Sequence, residues 1–345
     1  MGCGTDIRFF LGANSANGFF SHTESLSPSG GLTRILKGGP GSGKSTLMKH
    51  VAAEGEAIGL TVERYFCCSD PDSLDGVVFP EISYAILDGT APHTVEPVLC
   101  GVQALYLDLS AGYDRDALRA ESELLFALRS EGTLHHARAD RLLRAVAELS
   151  RVQDLRRPCT FPDGLSETLI DRSGKEAGTC RSVFLSGYTP DGLRAFRETA
   201  AQLCRKTAVL HGTALGCSEA LHALCGFAQR HGWNVILCDS PLLPGVYAEA
   251  VLIPGLGLAV VSDTPVLRYH GKADAAFGDD APTELTEILS AITGLAAEAL
   301  HAALTAHSQL EAAYRPHTDF SAADRATELC ISELHRLSDK NSGGH

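Results

Sequence analysis

A glycine-rich stretch with a lysine and a serine at fixed spacing offers the clearest chemistry in this sequence. Residues 38–46 fit the pattern Gly-x-x-x-x-Gly-Lys-Ser/Thr, after an apolar run and before a helical one. Glycines let the backbone wrap around phosphate oxygens with N–H groups pointing inward, and a helix N-terminus adds a positive dipole. We therefore predict a phosphate-binding loop made of Gly38, Gly39, Pro40, Gly41, Ser42, Gly43, Lys44, Ser45 and Thr46.

Three residues are predicted to hold the nucleotide and its metal ion. In such a loop, Lys44 would contact the β- and γ-phosphates and Ser45 would ligate Mg²⁺. Residues 84–88 read as an apolar strand that ends in Asp88, which would complete the Mg²⁺ site as a Walker B aspartate does. The alternative is that Asp88 is only a turn residue. No guanine-reading Asn-Lys-x-Asp motif follows, so ATP is predicted rather than GTP.

The group that would activate water or an acceptor hydroxyl is less clear from the sequence. Gly89 follows Asp88, at a position where many ATPases carry a catalytic glutamate. Asp70 and Asp75 follow a β-rich run and could supply this catalytic carboxylate, because ligands bind at the carboxyl edge of open α/β sheets. Alternatively, Asp70 caps a short helix and Asp75 faces solvent. His93, just beyond Asp88, could sense the γ-phosphate or be an ordinary loop residue.

A weak internal repeat indicates a duplicated domain. At an offset of 174 residues, Phe10-Leu11 meets Phe184-Leu185, and the apolar run before the glycine loop meets residues 209–212. The same offset returns later, where Pro80 meets Pro254. Apolar runs of four to seven residues alternate with helical stretches in each copy, a pattern typical of βαβ units. We predict an α/β protein with two mostly parallel sheets flanked by helices.

The second copy lacks the residues predicted to bind phosphate. Its loop reads Gly-Thr-Ala-Leu-Gly-Cys-Ser-Glu, and at the common offset Ser218 aligns with Lys44 while Glu219 aligns with Ser45. Ser262 stands at the position of Asp88. Copy two is therefore predicted to keep the fold without binding nucleotide. The alternative is that it binds a less charged ligand.

Helical stretches follow the strands in each copy and set the predicted domain boundaries. Residues 1–150 are predicted to form the phosphate-binding domain, which ends in a helical hairpin over 116–150 broken at Gly132. Residues 151–180 are predicted to be a linker, and residues 181–340 a second domain with C-terminal helices. These helices either pack on the sheets or form arms that bind a protein partner.

Composition and charge exclude several classes of function. The 345 residues are 44% hydrophobic and carry a net charge of −13 spread over both halves, which argues against nucleic-acid and anionic-membrane surfaces. No apolar run approaches the roughly 20 residues of a membrane span, so no membrane association is expected. The 11 cysteines include no Cys-x-x-Cys pair. This pattern predicts free thiols in a cytoplasmic protein and no zinc site of paired spacing.

Three motifs together resemble a family of uncharacterised bacterial proteins that are similar to P-loop ATPases. They are the stretch 35–49, the stretch 68–76 and Ile-Leu-Asp-Gly-Thr-Ala-Pro-His at 86–93. The resemblance implies tandem P-loop nucleoside triphosphatase domains over nearly the whole chain and a cytosolic ATP-binding protein. It implies no particular substrate. Copy two departs from the family, in which both copies often look competent to bind nucleotide.

These observations together predict a Mg²⁺-dependent ATP-binding protein. Its expected reaction is slow ATP hydrolysis coupled to a conformational change that the helices or copy two would transmit. One alternative is a small-molecule or nucleotide kinase in which Asp70 or Asp75 acts as the base. The other is a non-enzymatic switch that ATP orders for a partner.

Overall fold

The computed structural model describes residues 6–26, 31–96, 99–156, 165–169, 176–278 and 285–342. The chain divides into two compact units that do not coincide with the two sequence copies. The first unit consists of Met1–Gly12, Ser21–His136 and Leu300–His345, and the second of Ala13–Phe20 and Ala137–Ala299.

Within the described residues, copy one contributes eight strands and four α-helices. In chain order they are β1 (Asp6–Phe10), β2 (Gly12–Ser15), β3 (Gly18–Ser21), β4 (Leu32–Lys37), α1 (Lys44–Ala57), β5 (Val62–Phe66), β6 (Leu74–Phe79), β7 (Tyr84–Asp88), β8 (Ala104–Asp108), α2 (Arg115–Ala120), α3 (Ser122–Arg156) and α4 (Leu165–Leu169). Short 3₁₀ turns lie at Thr23–Leu26, Pro80–Ile82 and Ser110–Gly112.

Copy two repeats the order of the strands and has an additional helix before its fourth strand. Its elements are β9 (Cys180–Val183), β10 (Ser186–Thr189), β11 (Gly192–Ala195), α5 (Arg197–Leu203), β12 (Lys206–His211), α6 (Ala214–Arg230), β13 (Val235–Asp239), β14 (Ala248–Ile253), β15 (Leu258–Asp263), β16 (Ala275–Gly278), α7 (Thr286–Tyr314) and α8 (Ser321–Ser342). Further 3₁₀ turns lie at Pro254–Leu256 and Arg315–His317.

Each unit holds one six-stranded sheet, and the two sheets have the same topology. The first sheet has the order β1-β5-β6-β7-β4-β8, and the second has the order β9-β13-β14-β15-β12-β16. All neighbours pair in parallel except around β6 and β14, which run antiparallel to the strands on both sides. The prediction of two mostly parallel sheets flanked by helices is confirmed, and the shared topology is consistent with duplication.

The core of the first unit lies between its sheet and two helices. Leu47, Met48 and Val51 on α1 are almost fully buried against strand residues such as Phe79. Each buried aliphatic side chain of this kind contributes about 2 kcal/mol to folding. Gly55 permits the close approach, because a Cβ there would lie 2.2 Å from the Phe79 ring.

The C-terminal helix α8 belongs to the first unit, whereas the sequence predicted that residues 181–340 form the second domain. Ala323, Cys330 and Leu334 of α8 join the same apolar core as α1. A buried ion pair adds to this packing: Arg34 on β4 donates to Glu333, with Nε 2.8 Å from Oε2, and Tyr84 donates to the same oxygen at 3.0 Å. An amphipathic stripe predicts that a helix packs on a sheet, but apolar contact is non-directional and does not specify which sheet.

Helix α4 shows the opposite exchange, because it packs in the second unit. It comes from copy one, yet its residue Leu165 is buried in the core of the second unit with Leu221 and Leu224 of α6. It lies inside the stretch predicted as a linker. The rest of that stretch includes residues 157–164 and 170–175, which lie outside the described residues.

The predicted helical hairpin over 116–150 is wrong. Helix α3 runs for 35 residues without a break and passes through Gly132. A glycine inside a helix costs only about 1 kcal/mol, so it did not have to end the helix. In the first unit Gly132 lies against α7, where an added Cβ would be 3.9 Å from the Cβ of Ala306.

Residues Thr286–His317, which include α7, are long and apolar enough to cross a membrane by length and composition. Their best 18-residue window has a mean hydropathy of 1.4 and is 28% buried. The prediction that no segment reaches this length is therefore wrong. One such helix is weak evidence for a span, because core helices of globular proteins pass the same test, and the chain is not clearly membrane-bound.

Candidate functional site

The site forms where the parallel strands of the first sheet end. The loop Gly38–Gly43 follows β4, Asp88 ends the adjacent strand β7, and Asp75 lies near the start of the antiparallel strand β6. Because β6 runs in the opposite direction, its first residues reach the same edge as the last residues of β7. The topology thus brings together residues that are far apart in sequence.

The glycine-rich loop turns sharply before α1. Gly41 and Gly43 have φ angles of 66° and 93°, in the left-handed region that favours glycine. Lys44 Nζ folds back over the loop and donates to the carbonyl oxygens of Gly38 at 2.8 Å and Gly39 at 3.0 Å. Its ammonium group is therefore held directly above the loop backbone.

The remaining loop residues have different environments. Ser42 is only 2% exposed, whereas Thr46 is exposed on the first turn of α1. The Pro40 carbonyl accepts a hydrogen bond from the Tyr113 hydroxyl at 3.5 Å. Thr90 Oγ1 donates to the Gly38 carbonyl at 2.9 Å and so connects the loop to the segment after β7.

Lys44 and Asp88 lie side by side, and Ser45 follows Lys44 on the first turn of α1. Lys44 Nζ lies 3.7 Å from Asp88 Oδ2, and both side chains are about nine-tenths buried. Burial raises the pKa of Asp88 above its ordinary value, and the positive charge of Lys44 opposes that rise. Ser45 Oγ accepts a hydrogen bond from the backbone N–H of Leu74 at 3.0 Å. Lys44 and Asp88 thus form a buried cation–carboxylate pair, and Ser45 Oγ faces the start of β6.

Asp70 and Asp75 prove to have different surroundings. Asp70 closes a turn, because its Oδ2 accepts from Ser73 Oγ at 2.5 Å and its Oδ1 from the Asp72 N–H at 3.4 Å. The predicted alternative of a helix cap is not what Asp70 does, because residues 67–73 form a turn and no helix. Asp75 does not face solvent: it is 6% exposed, and its Oδ2 lies 3.1 Å from His93 Nε2.

His93 is buried beside this carboxylate. Burial by itself lowers the pKa of His93, but the charges of Asp75 and Asp88 and the close contact with Asp75 together outweigh it, so the pKa of His93 is raised. The His93 N–H donates to the Thr90 carbonyl at 2.8 Å, which holds the segment in a turn.

Sequence reasoning missed a carboxylate that contacts the glycine loop. Glu311, on α7 within the first unit, accepts a hydrogen bond from the Gly41 N–H at 3.1 Å. A hydrogen bond from His307 holds the pKa of Glu311 below its ordinary value, and the charge of Lys44 acts in the same direction. The two partners are 270 residues apart, and no local pattern in the sequence joins them.

The equivalent place in the second unit requires a one-residue correction to the predicted alignment. Ser218 Oγ accepts from the Ala248 N–H at 2.9 Å, just as Ser45 Oγ accepts from the Leu74 N–H. Ser218 therefore occupies the position of Ser45, and Cys217 occupies that of Lys44. The prediction that this place carries no lysine holds, but Glu219 does not stand at the Ser45 position.

Comparisons with models of known protein families, with curated proteins and with solved structures found no match to this chain. The resemblance to tandem P-loop ATPase-like proteins therefore stays a prediction from the three motifs.

Proposed function

We propose that the first unit binds Mg·ATP at the Gly38–Thr46 loop and hydrolyses it slowly. The observation that carries the proposal is the contact between Lys44, at the start of α1, and Asp88, at the end of β7, with Ser45 next to Lys44 in the first turn of the helix. This is the combination of a cation and hard oxygen ligands that a metal-bound triphosphate needs.

The loop residues fit an anionic ligand. The Gly41 N–H already donates to a carboxylate oxygen, that of Glu311, so this loop can present an N–H group to an anion. In the proposed complex Lys44 would turn its N–H donors from the Gly38 and Gly39 carbonyls to phosphate oxygens. Ser45 Oγ and the Asp88 carboxylate would hold Mg²⁺, which would supply positive charge to the phosphates.

Slow turnover is expected from the groups around Asp88. Both carboxylate oxygens of Asp70 accept hydrogen bonds within its own turn, and Gly89 has no side chain that could act as a base. Asp75 is the remaining predicted catalytic carboxylate, and its contact with His93 places it near Asp88. We assign Asp75 the positioning of water, either directly or through His93.

A nucleotide-dependent switch is the second candidate function. The observation that favours it is the Glu311 contact, because phosphate oxygens would compete with this carboxylate for the Gly41 N–H. Nucleotide binding would then break the hydrogen bond between the loop and Glu311 on α7. The predicted protein partner stays a prediction; on α3, Phe126 and Leu134 expose 70% and 72% of their surfaces.

Calorimetry of ATP binding tests the site. With Mg²⁺ present we expect one ATP per chain, and Lys44→Ala should weaken the affinity about tenfold or more, or about 1.4 kcal/mol. Lys49→Ala, an exposed lysine on the same helix, is the matched control and should bind normally. Unchanged binding in Lys44→Ala, or two ATP per chain, would contradict the proposal.

Phosphate release separates hydrolysis from the switch. Asp88→Asn should lower Mg²⁺-dependent turnover more than it lowers metal-free nucleotide binding. Asp108→Asn is the control, because Asp108 also ends a strand of this sheet and accepts an N–H two residues later, from Ser110 at 2.8 Å. Binding without phosphate release in the wild-type protein would favour the switch. Full turnover in Asp88→Asn would show that another carboxylate holds the metal.

A further inference from the structure

Three side chains from separate segments of the first unit form a cluster with the donor types that a transition-metal ion prefers. They are Cys67 after β5, Asp75 on β6 and His93 after β7. We propose that Cys67, Asp75 and His93 form a binding site for a divalent ion of the zinc class, separate from the proposed Mg²⁺ ligands. With the ion bound, Asp75 and His93 act as its ligands and not as the groups that position water, and this inference does not depend on nucleotide binding.

The distances suit a single ion. One ligand atom from each residue lies within 4.8 Å of the others, and Asp75 Oδ2 lies 3.1 Å from His93 Nε2. Around a tetrahedral zinc ion with bonds of about 2.0–2.3 Å, ligand atoms are about 3.3–3.8 Å apart. The side chains therefore need only small rotations to reach that geometry.

The buried carboxylate supports a cation here. Asp75 Oδ2 is inaccessible to solvent, and no hydrogen bond of good geometry reaches it; its charged neighbour is the His93 imidazole, 3.1 Å away. A metal ion bound between these two groups would satisfy the buried oxygen directly. The sulfur and imidazole donors favour zinc over Mg²⁺, which prefers oxygen ligands.

The backbone holds the three ligands in place before any ion binds. The Cys67 N–H donates to the Ser73 carbonyl at 3.0 Å, across the turn that Asp70 closes. Asp75 lies within the ladder of β6, and a turn from Thr90 holds His93. This assigns Asp70 a positioning role for Cys67 rather than a catalytic one.

The second unit provides an internal comparison. The Ser240 N–H donates to the Tyr247 carbonyl at 2.8 Å, as the Cys67 N–H does to Ser73, so Ser240 occupies the Cys67 position. The Leu267 N–H donates to the Thr264 carbonyl at 3.2 Å, so Leu267 occupies the His93 position. Glu249 is the counterpart of Asp75 in the register of β14. The second unit thus keeps a carboxylate but lacks the thiol and imidazole, and we expect no ion there.

Binding of the ion would use three protein ligands and leave one tetrahedral position for water. The Cys67 thiol gives its proton to solvent as the sulfur–metal bond forms, and His93 gives up the proton that it carries when charged, so loading releases protons and changes no oxidation state. The sequence offered no sign of this site, because its ligands do not have the paired spacing of zinc motifs.

Cobalt titration tests the proposal. The full chain, stripped of metal, is titrated with Co²⁺, which substitutes for zinc and gives a thiolate-to-cobalt charge-transfer band. We expect one equivalent to bind with this band and Zn²⁺ to displace it. Cys67→Ser, which installs the serine of the second unit, should abolish the band. Cys100→Ser, an exposed thiol, should retain it.

A second variant keeps the test decisive if Cys67→Ser fails to fold by circular dichroism. His93→Gln should keep the thiolate band at saturation but weaken Co²⁺ affinity by at least about tenfold. A wild-type protein without the band, a band that persists in Cys67→Ser, or unchanged affinity in His93→Gln would each overturn the proposal. Lys44→Ala should lose ATP binding but keep the band, which separates this proposal from the nucleotide site.

Discussion

The connection between strand and helix differs sharply between β4–α1 and its counterpart β12–α6. In the first unit, Gly38–Gly43 separates the strand from the helix and contains two left-handed glycines. In the second, only Gly212 and Thr213 intervene, and α6 begins at Ala214. Thr213 caps that helix, with its Oγ1 accepting from the Gly216 N–H at 3.3 Å. An early helix therefore replaces the open loop.

This difference shows how a phosphate-binding loop can be lost while its fold is kept. Where the helix starts early, its first N–H groups are used within the protein: the Leu215 N–H donates to Asp154 at 3.1 Å. In the first unit the Gly41 N–H, inside the open loop, donates to the half-exposed Glu311. Each unit thus has a carboxylate that accepts an N–H near the start of this helix, but only the first keeps an open loop that could exchange it for another anion.

The largest expected effect concerns helix α8, which comes from copy two but packs in the first unit. Glu333→Ala removes the partner of buried Arg34 and of the Tyr84 hydroxyl, so it should lower the free energy of unfolding by about 3–5 kcal/mol. Urea denaturation measures the loss. The exposed Glu328 on the same helix is the control, and Glu328→Ala should change stability by less than about 0.5 kcal/mol. Equal effects would show that the ion pair does not anchor α8.

The second prediction concerns Glu249, the buried carboxyl group of the second unit that corresponds to Asp75. Burial raises the pKa of Glu249 from 4.5 to about 7. The folded state therefore holds a proton that the unfolded state releases at lower pH, so stability falls as pH rises from the ordinary pKa through the raised one. Between about pH 5 and about pH 8 the wild type should lose about 3 kcal/mol more than Glu249→Gln. Parallel pH dependences in urea unfolding would rule out this burial effect.

The third prediction tests the two serines that occupy the same position. Ser45→Ala should weaken Mg·ATP affinity about tenfold while leaving metal-free binding nearly unchanged, because the hydroxyl acts through the ion. Ser218→Ala should leave ATP binding unchanged. Isothermal calorimetry with and without Mg²⁺ measures both. An equal loss in the two variants would mean that the second unit contributes to nucleotide binding.

The smallest expected effect is an increase in affinity. Glu311→Gln removes a negative charge next to the loop and weakens a competitor for the Gly41 N–H, so ATP should bind about threefold more tightly, or about 0.7 kcal/mol. Glu298→Gln, an exposed glutamate on the same helix, is the control. Weaker binding in Glu311→Gln would indicate that this carboxylate assists the nucleotide rather than competing with it.

Much of the architecture could be read from local patterns. The alternation of apolar runs and helical stretches predicted the α/β class, and the repeat predicted two sheets of the same kind. The loop around Lys44 and the strand that ends in Asp88 also follow from short stretches of sequence. These features depend on neighbours a few residues apart, through backbone conformation, side-chain alternation and strand ends.

The tertiary structure alone decided which distant residues meet. The amphipathic faces of α4 and α8 predict burial but not a partner, and each helix packs in the unit whose sheet belongs to the other copy. The one-residue shift at Ser218 became visible only through its hydrogen bond to Ala248. The cluster of Cys67, Asp75 and His93 forms because an antiparallel strand returns to the edge where its neighbours end. Such contacts depend on chain topology, and sequence spacing carries no record of it.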